Sequence, residues 1–405
     1  AVSDLPFLPM YAWVGLWTSA LLAVAALANL SGLIRYCTRF TEDVFNALLS
    51  FNYLSEAFRS LRHEFVFAKD MGSGLLAINS AALTAWLCQL TTNFRSKRYL
   101  SAPLREAVSD FGPPLVILSV TLASLSSWAR SLGEISRLPI SSTFAVGLGR
   151  PLLIDVLALP TRFRALALLP ALFLATLFFL DQNITVRTVN SPENKLRKGP
   201  AYHLDLLALS LLTGATSVTG LPWMCSATVE SLNHIRAMSV FKKVAKGNAA
   251  RQAAEVPERV IENRLTGFGV HALILLSSLF VPLLAVVPLP VVSGVFLYLG
   301  RKVMGGNVFL QRCKKLWIDE AALDSKDEGG EKEMVALGRW SVFRFTAFQG
   351  LCLAGLWALR CNPSTALVFP SVIGVLMLIR VKLIPRLFSR RELSLLDTPI
   401  GATRV

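Results

Sequence analysis

The chain has 405 residues, 53% of them hydrophobic and 17% charged, with a mean hydropathy of +0.53. Soluble domains carry about 25% charged residues, so this composition argues against a disordered chain, a disulfide-stapled secreted scaffold and a soluble enzyme, and fits a polytopic membrane protein. The formal charge of +15, from 41 Lys and Arg against 26 Asp and Glu, sits in short stretches between apolar runs, as the positive-inside rule requires; no basic tail with interleaved aromatics suggests nucleic acid.

A membrane helix needs about 20 apolar residues. In chain order the apolar runs predict spans over 10–34, 43–61, 72–91, 108–128, 165–186, 203–220, 264–287, 289–303, 340–360 and 364–384. Basic residues follow the first span (Arg35, Arg39), the third (Arg95, Lys97, Arg98, Arg105), the fifth (Arg187, Lys195, Arg197, Lys198) and residue 236 (Lys242, Lys243, Lys246, Arg251). These segments are cytoplasmic if the N-terminus is outside, and so is the tail with Arg386, Arg390 and Arg391. The loop 62–71 is mixed in sign, and 129–164 carries five arginines against the bias. Asp110, ahead of Phe111-Gly112-Pro113-Pro114, reads as the N-terminal cap of its span.

Six cysteines (Cys37, Cys88, Cys225, Cys313, Cys352, Cys361) show no CxxC spacing and read as small buried hydrophobes. Four scattered histidines give no metal site, and no cofactor is implied. No nucleophile elbow, phosphate-binding loop or carboxylate pair with a histidine base is visible, so neither catalysis nor an ATP-driven pump is expected. The sequons at Asn29 and Asn183 fall in or beside spans, away from glycosylation. The acidic segment 319–333 reads as a solvated loop. The first residue is Ala1 and the first span follows within ten residues, as expected of a chain that starts inside a longer protein.

The count of spans works only if the segment after Gly220 does not cross fully. Gly220, Pro222 and Trp223 interrupt the apolar run, and a shorter helix over 224–236 is expected to follow. Broken helices are tolerated at membrane depth where the backbone is packed in protein or lines a cavity, and the freed amide end of the second half attracts anions. Acidic residues inside apolar runs are expensive and mark ion pathways. Asp181 is the strongest such residue, with Thr185 four positions on and so on the same face; a carboxylate and a hydroxyl there suit a cation. Glu56, near Arg59 and Arg62, reads as a solvated helix end.

The stretch Asp181-Gln182-Asn183-Ile184-Thr185, then Lys195 to Gly199 and Tyr202 to Leu207, resembles the bicarbonate transporter family of anion exchangers, sodium-bicarbonate cotransporters and borate exporters. Gly220-Leu221-Pro222-Trp223, Ala227-Thr228-Val229, His234, Leu265-Thr266-Gly267, the run from Val295 to Gly300, Arg391-Glu392-Leu393 and Leu396-Asp397 extend the match in order, and Asp110-Phe111-Gly112 also fits. The resemblance implies an all-α polytopic fold of fourteen segments in two inverted repeats of seven, here lacking the first three and the cytosolic domain. It assigns 1–40 to a moving core, 41–130 to a gate, 131–164 to an extracellular loop, 165–287 to the core with the half-helix 224–236, 288–384 to the gate with a cytoplasmic linker over 304–339, and 385–405 to a cytoplasmic tail. A homodimer through the gate spans, in the plasma membrane, is implied with it.

Within the family, aspartate at the position of Asp181 and threonine at that of Thr185 fit the sodium-coupled members, whereas Glu230 matches neither the arginine that chloride exchangers carry there nor the apolar residue of many sodium-coupled members. The site residues implied are therefore Asp181, Thr185 and Glu230 for a cation, and the amides of Ala227, Thr228 and Val229 for the anion. The implied activity is Na⁺-coupled transport of bicarbonate or carbonate by movement of core against gate. The alternatives are chloride-bicarbonate exchange, borate export, or a membrane subunit that does not transport.

Overall fold

The computed structural model describes residues 6–36, 38–97, 99–140, 150–245, 253–318, 331–362, 365 and 372–397. Among them, six helical segments are long and apolar enough to cross a membrane: Phe7–Leu27, Met71–Arg95, Ala102–Ser124, Thr161–Val189, Leu265–Leu284 and Arg339–Cys361. The chain divides into two compact units, one made of residues 1–45, 146–264 and 312–405, the other of 46–145 and 265–311. This division is one of contact, whereas the core and gate expected above are defined by motion.

In the first unit, α1 (Phe7–Leu27) buries Ala12, Gly15, Thr18, Leu22, Ala25 and Ala26, a three-and-four spacing that forms one face. That face meets α7 (Leu168–Val189) and α8 (Tyr202–Thr219), with Leu22, Phe178, Leu206 and Leu209 at the centre. Lipid is as apolar as leucine, so close packing and hydroxyl contacts hold such helices together. Ser19 Oγ donates to the Ser210 carbonyl and Ser210 Oγ to the Ser19 carbonyl, both at 2.8 Å. Thr161–Leu166 forms α6, a short helix leading into α7.

The start of α2 (Arg39–Val66) belongs to the first unit, where it meets a buried polar network. Arg312, on α13 (Val308–Lys315), is 1% exposed. Its Nη2 donates to Asp43 Oδ2 (3.3 Å) and to Gln349 Oε1 (3.0 Å) on α15 (Arg339–Cys361), and its guanidinium lies 5.1 Å from the Phe345 ring centre. Asp397, 3% exposed, accepts the Phe40 N–H (3.0 Å) and the Arg380 Nε (2.9 Å). It follows α18 (Arg390–Leu396), whose N-terminus is closed by a capping box of Ser389 and Glu392. Before it come α14 (Glu331–Leu337), α16 (Val372–Leu378), a π-helical turn over Ile379–Leu383 and α17 (Ile384–Leu387).

In the second unit, α3 (Met71–Thr92) packs against α4 (Ala102–Ser124) and α12 (Leu289–Gly306). Gly294 permits the approach of α12, since a Cβ there would lie 2.5 Å from the Ala81 carbonyl oxygen. Tyr298 is 5% exposed and pairs its hydroxyl with that of Thr92 at 2.8 Å. The unit is completed by α5 (Ser127–Leu132), α10 (Leu265–Ser277) and α11 (Val281–Leu284). No residue of α10 is buried, which suits an environment of acyl chains.

Three expectations are corrected. Asp110 does not cap a helix: α4 starts nine residues of chain earlier, after Ser101, with Pro103 in its first turn and Pro113 and Pro114 carried inside it. Proline is preorganised for a first turn, so Pro103 marks the true start. The half-helix begins at Thr228 and not at 224, as α9 (Thr228–Met238). The basic segment after residue 236 holds an antiparallel pair, β1 (Ser239–Ala245) and β2 (Ala253–Val260), paired from Ser239 opposite Val260 to Ala245 opposite Ala253 with a register shift between Val240 and Phe241. Pro257 sits where the register shifts, a position at which a missing N–H is tolerated. Cys37, Arg98, Lys246, Arg251 and the acidic residues of 319–330 lie outside the described residues.

Candidate functional site

The helix break is real and is held in place by specific contacts. Gly220 ends α8 in the left-handed conformation, φ 65°, which glycine adopts without steric cost. Its N–H donates to the Ser217 carbonyl (3.3 Å) and that of Leu221 to the Thr216 carbonyl (2.9 Å), the paired bonds that close a helix at its carboxyl end. The Arg150 guanidinium donates to the Thr219 carbonyl from both terminal nitrogens and to the Gly220 carbonyl, each at 3.2 Å. A cation on the negative end of the helix dipole is favourable.

Residues 221–227 are not helical, because α1 claims their polar groups. The Tyr11 ring stacks on Trp223 with centroids 3.9 Å apart and planes 4° apart. Tyr11 Oη donates to the Leu221 carbonyl (2.7 Å) and accepts the Trp223 N–H (3.2 Å). The indole Nε1 of Trp223 donates to Ser217 Oγ (2.8 Å). Gly15 makes room, since a Cβ there would lie 2.4 Å from that indole nitrogen.

The chain then meets α7. Ser226 Oγ donates to the Asp181 carbonyl (3.2 Å), and the Cys225 thiol hydrogen-bonds the Asp181 carboxylate. The hydroxyls of Thr185 and Thr228 lie 2.6 Å apart; Thr185 is 2% exposed. Asp181 and Thr185 are thus beside the segment that leads into α9 and its first residue. Among the described residues no side chain caps α9, whose amino end starts after Ala227, and the amides of a helix's first turn suit an anion. Asn183, 1% exposed between them, turns its amide nitrogen to the Phe179 carbonyl (2.7 Å).

Glu230 is not joined to Asp181 or Thr185 by any hydrogen bond or ion pair found among the described residues; it is exposed, in the first turn of α9. A carboxylate there complements the helix dipole. Ala227 is exposed, and the Val229 side chain lies outside the described residues. His234 lies further along the same helix.

Sequence reasoning missed Tyr11, Arg150 and Cys225. In the sequence Arg150 is one of five arginines in a loop, and Cys225 has no ligand spacing. Their roles rest on contacts between chain segments far apart, such as the 212 residues from Tyr11 to Trp223, which no local pattern records. Among the described residues no cluster of three metal-ligating side chains occurs.

The chain resembles known proteins along nearly all of its length. It is 30% identical over 419 residues to the Band 3 anion transport protein of Rattus norvegicus, covering 98% of this chain and 44% of the relative. It is 29% identical over 431 residues to anion exchange protein 3 of Mus musculus, covering 98% of this chain and 34% of that one. The chain therefore spans less than half the length of these relatives. The transmembrane domain of a cyanobacterial bicarbonate transporter, BicA, superposes with a TM-score of 0.45 at 17% identity, over 86% of this chain and 76% of that one. The HCO3- transporter integral membrane domain matches residues 1–69 and 71–400, and the chain belongs to that family, as an integral, multi-pass membrane protein.

Proposed function

We infer that the protein is a secondary transporter of bicarbonate or carbonate, coupled to Na⁺. The observation that carries this reading is the meeting of α7 with the start of α9 at Asp181 and Thr185, through the bond from Ser226 to the Asp181 main-chain carbonyl and the Thr185–Thr228 hydroxyl pair. A carboxylate and a hydroxyl offer hard oxygen ligands to a cation, and the amides of 227–229 offer donors to an oxyanion. Bound together, the two ions neutralise each other, which lowers the cost of holding either at membrane depth. Glu230, exposed in the first turn of α9, adds negative charge at the same helix end and is the third residue assigned to the cation. Alternating access then comes from relative motion of the membrane helices, in a homodimer at the plasma membrane with a cytoplasmic C-terminus.

Chloride-bicarbonate exchange is the second reading, favoured by the names of the relatives, an anion transport protein and an anion exchange protein. The test is bicarbonate uptake into vesicles that contain the intact protein, with external Na⁺ replaced by choline and external chloride by gluconate. Na⁺-coupled transport predicts uptake that stops without Na⁺ and persists without chloride. Uptake that ignores Na⁺ and tracks chloride overturns it in favour of exchange.

A further inference from the structure

The second unit carries a cavity of about 720 Å³ that the ion site does not involve. It lies where several helices end: the last turns of α2 at His63 and Glu64, the start of α3 at Ser73, the end of α4 at Ser124, and α5 at Arg130. One wall is built and not loose. Leu138 N–H donates to the Val287 carbonyl (3.1 Å), Leu289 N–H to the Ser136 carbonyl (2.8 Å) and Glu134 N–H to Ser73 Oγ (2.9 Å). Asp70 caps α3 through the Ser73 N–H at 2.7 Å, which fixes the floor. A second hollow of about 420 Å³ shares His63 and Phe67 with the first and adds Arg59 and Arg62.

Cations dominate this region. Lys69 is paired with Glu134, which holds its ammonium above the usual range, and Arg59 lies 3.9 Å from Glu56. Arg137 uses one nitrogen on the Val286 carbonyl (3.3 Å). The guanidiniums of Arg62 and Arg130 have no hydrogen bond or ion pair among the described residues and are exposed. Apolar wall is present as well, from Phe67, Leu76 and Pro288. A volume within the ~300–1,000 Å³ of organic-ligand sites is far too large for a small inorganic anion. Guanidinium forks match the oxygens of a phosphoryl group.

From these features we propose that this double hollow is a second, separate site, for a phosphoryl-bearing amphiphile whose anionic head meets Arg130, Arg137 and Arg62 and whose apolar part lies along Phe67 and Leu76. A membrane phospholipid and a soluble organic phosphate share that chemistry. Helix ends that gather cations beside an apolar wall suit the headgroup level of a bilayer.

The test is native mass spectrometry of the intact protein titrated with phosphatidylglycerol, phosphatidylcholine and glycerol 3-phosphate, beside the Arg130→Gln/Arg137→Gln and the single Arg130→Gln variants. Phosphatidylglycerol retained at least tenfold more tightly than phosphatidylcholine, and weakened about tenfold in the double variant, supports the site with a lipid as its source. Glycerol 3-phosphate bound as tightly as phosphatidylglycerol, with the same loss in the double variant, supports it with a soluble source. Arg130→Gln, which removes no contact among the described residues, keeps the wild-type melting temperature and shows part of the loss, separating binding from folding. Equal binding of both lipids, or no loss in either variant, overturns the proposal.

Discussion

The hydroxyl of Thr185, near the carboxyl end of α7, lies 2.6 Å from that of Thr228, the first residue of α9. Both belong to the first compact unit, and through them a continuous helix and a half-helix share one polar contact. Thr185 is 2% exposed, so its hydroxyl has few other partners. Replacing Thr228 by valine leaves it unpaired, at a cost of about 1–3 kcal/mol for a buried polar group. The double replacement of Thr185 and Thr228 by valine removes both hydroxyls and should cost less than the sum of the singles. Thermal unfolding of the four proteins of that cycle in detergent checks the pairing, and strict additivity would refute it.

Tyr11 and Trp223 make a second test. Tyr11→Phe keeps the stack and removes the two bonds of the phenol, to the Leu221 carbonyl and from the Trp223 N–H. About 1–3 kcal/mol should be lost with them. Hydrogen exchange should rise at residues 221–227 while α8 stays protected. Unchanged exchange across the break would show that α1 does not hold it.

Arg312 gives a prediction about stability alone. Its buried pairing with Asp43 and Gln349 means that Arg312→Met leaves a buried carboxylate without its cation, a loss of about 3–5 kcal/mol. Adding Asp43→Asn should restore part of that loss, because the buried negative charge is gone. Expression level and melting temperature of the single and double variants report it.

The tail helix α18 should respond to acid. The Ser389 N–H donates to Glu392 Oε2 (2.7 Å) and holds that carboxyl below the usual range. A lowered value in the folded state contributes stability above the unfolded glutamate value of about 4.3, and the contribution disappears as pH falls through the lower folded value. Exchange protection in 390–396 should therefore be level from neutral pH down to about 5 and drop below about 4. In Glu392→Gln that step should vanish.

These relationships differ in how far sequence alone exposes them. The break at Gly220, Pro222 and Trp223 is local chemistry and was legible, as was the Asp181–Thr185 face, which needs only helical spacing. The start of α9 was not, because it depends on Tyr11 taking up the polar groups of 221–223 from 212 residues away. Arg150 was read for its charge and not for the carbonyls of Thr219 and Gly220 that it caps. The lysines of β1 suggest a basic loop, since the segment lacks the apolar–polar alternation of a half-buried sheet. Asp110 preceded two prolines and imitated a cap, while Pro103 marked the actual helix start.

The most direct test of the ion site is the Na⁺ concentration dependence of bicarbonate uptake by vesicles carrying the intact protein, comparing wild type with Thr185→Ser and Thr185→Val. The serine variant keeps the hydroxyl and should keep wild-type half-saturation. The valine variant should need at least tenfold more Na⁺, a loss of about 1.4 kcal/mol in cation binding. A valine variant that takes up bicarbonate with wild-type Na⁺ dependence would contradict the assignment of Thr185 to the cation.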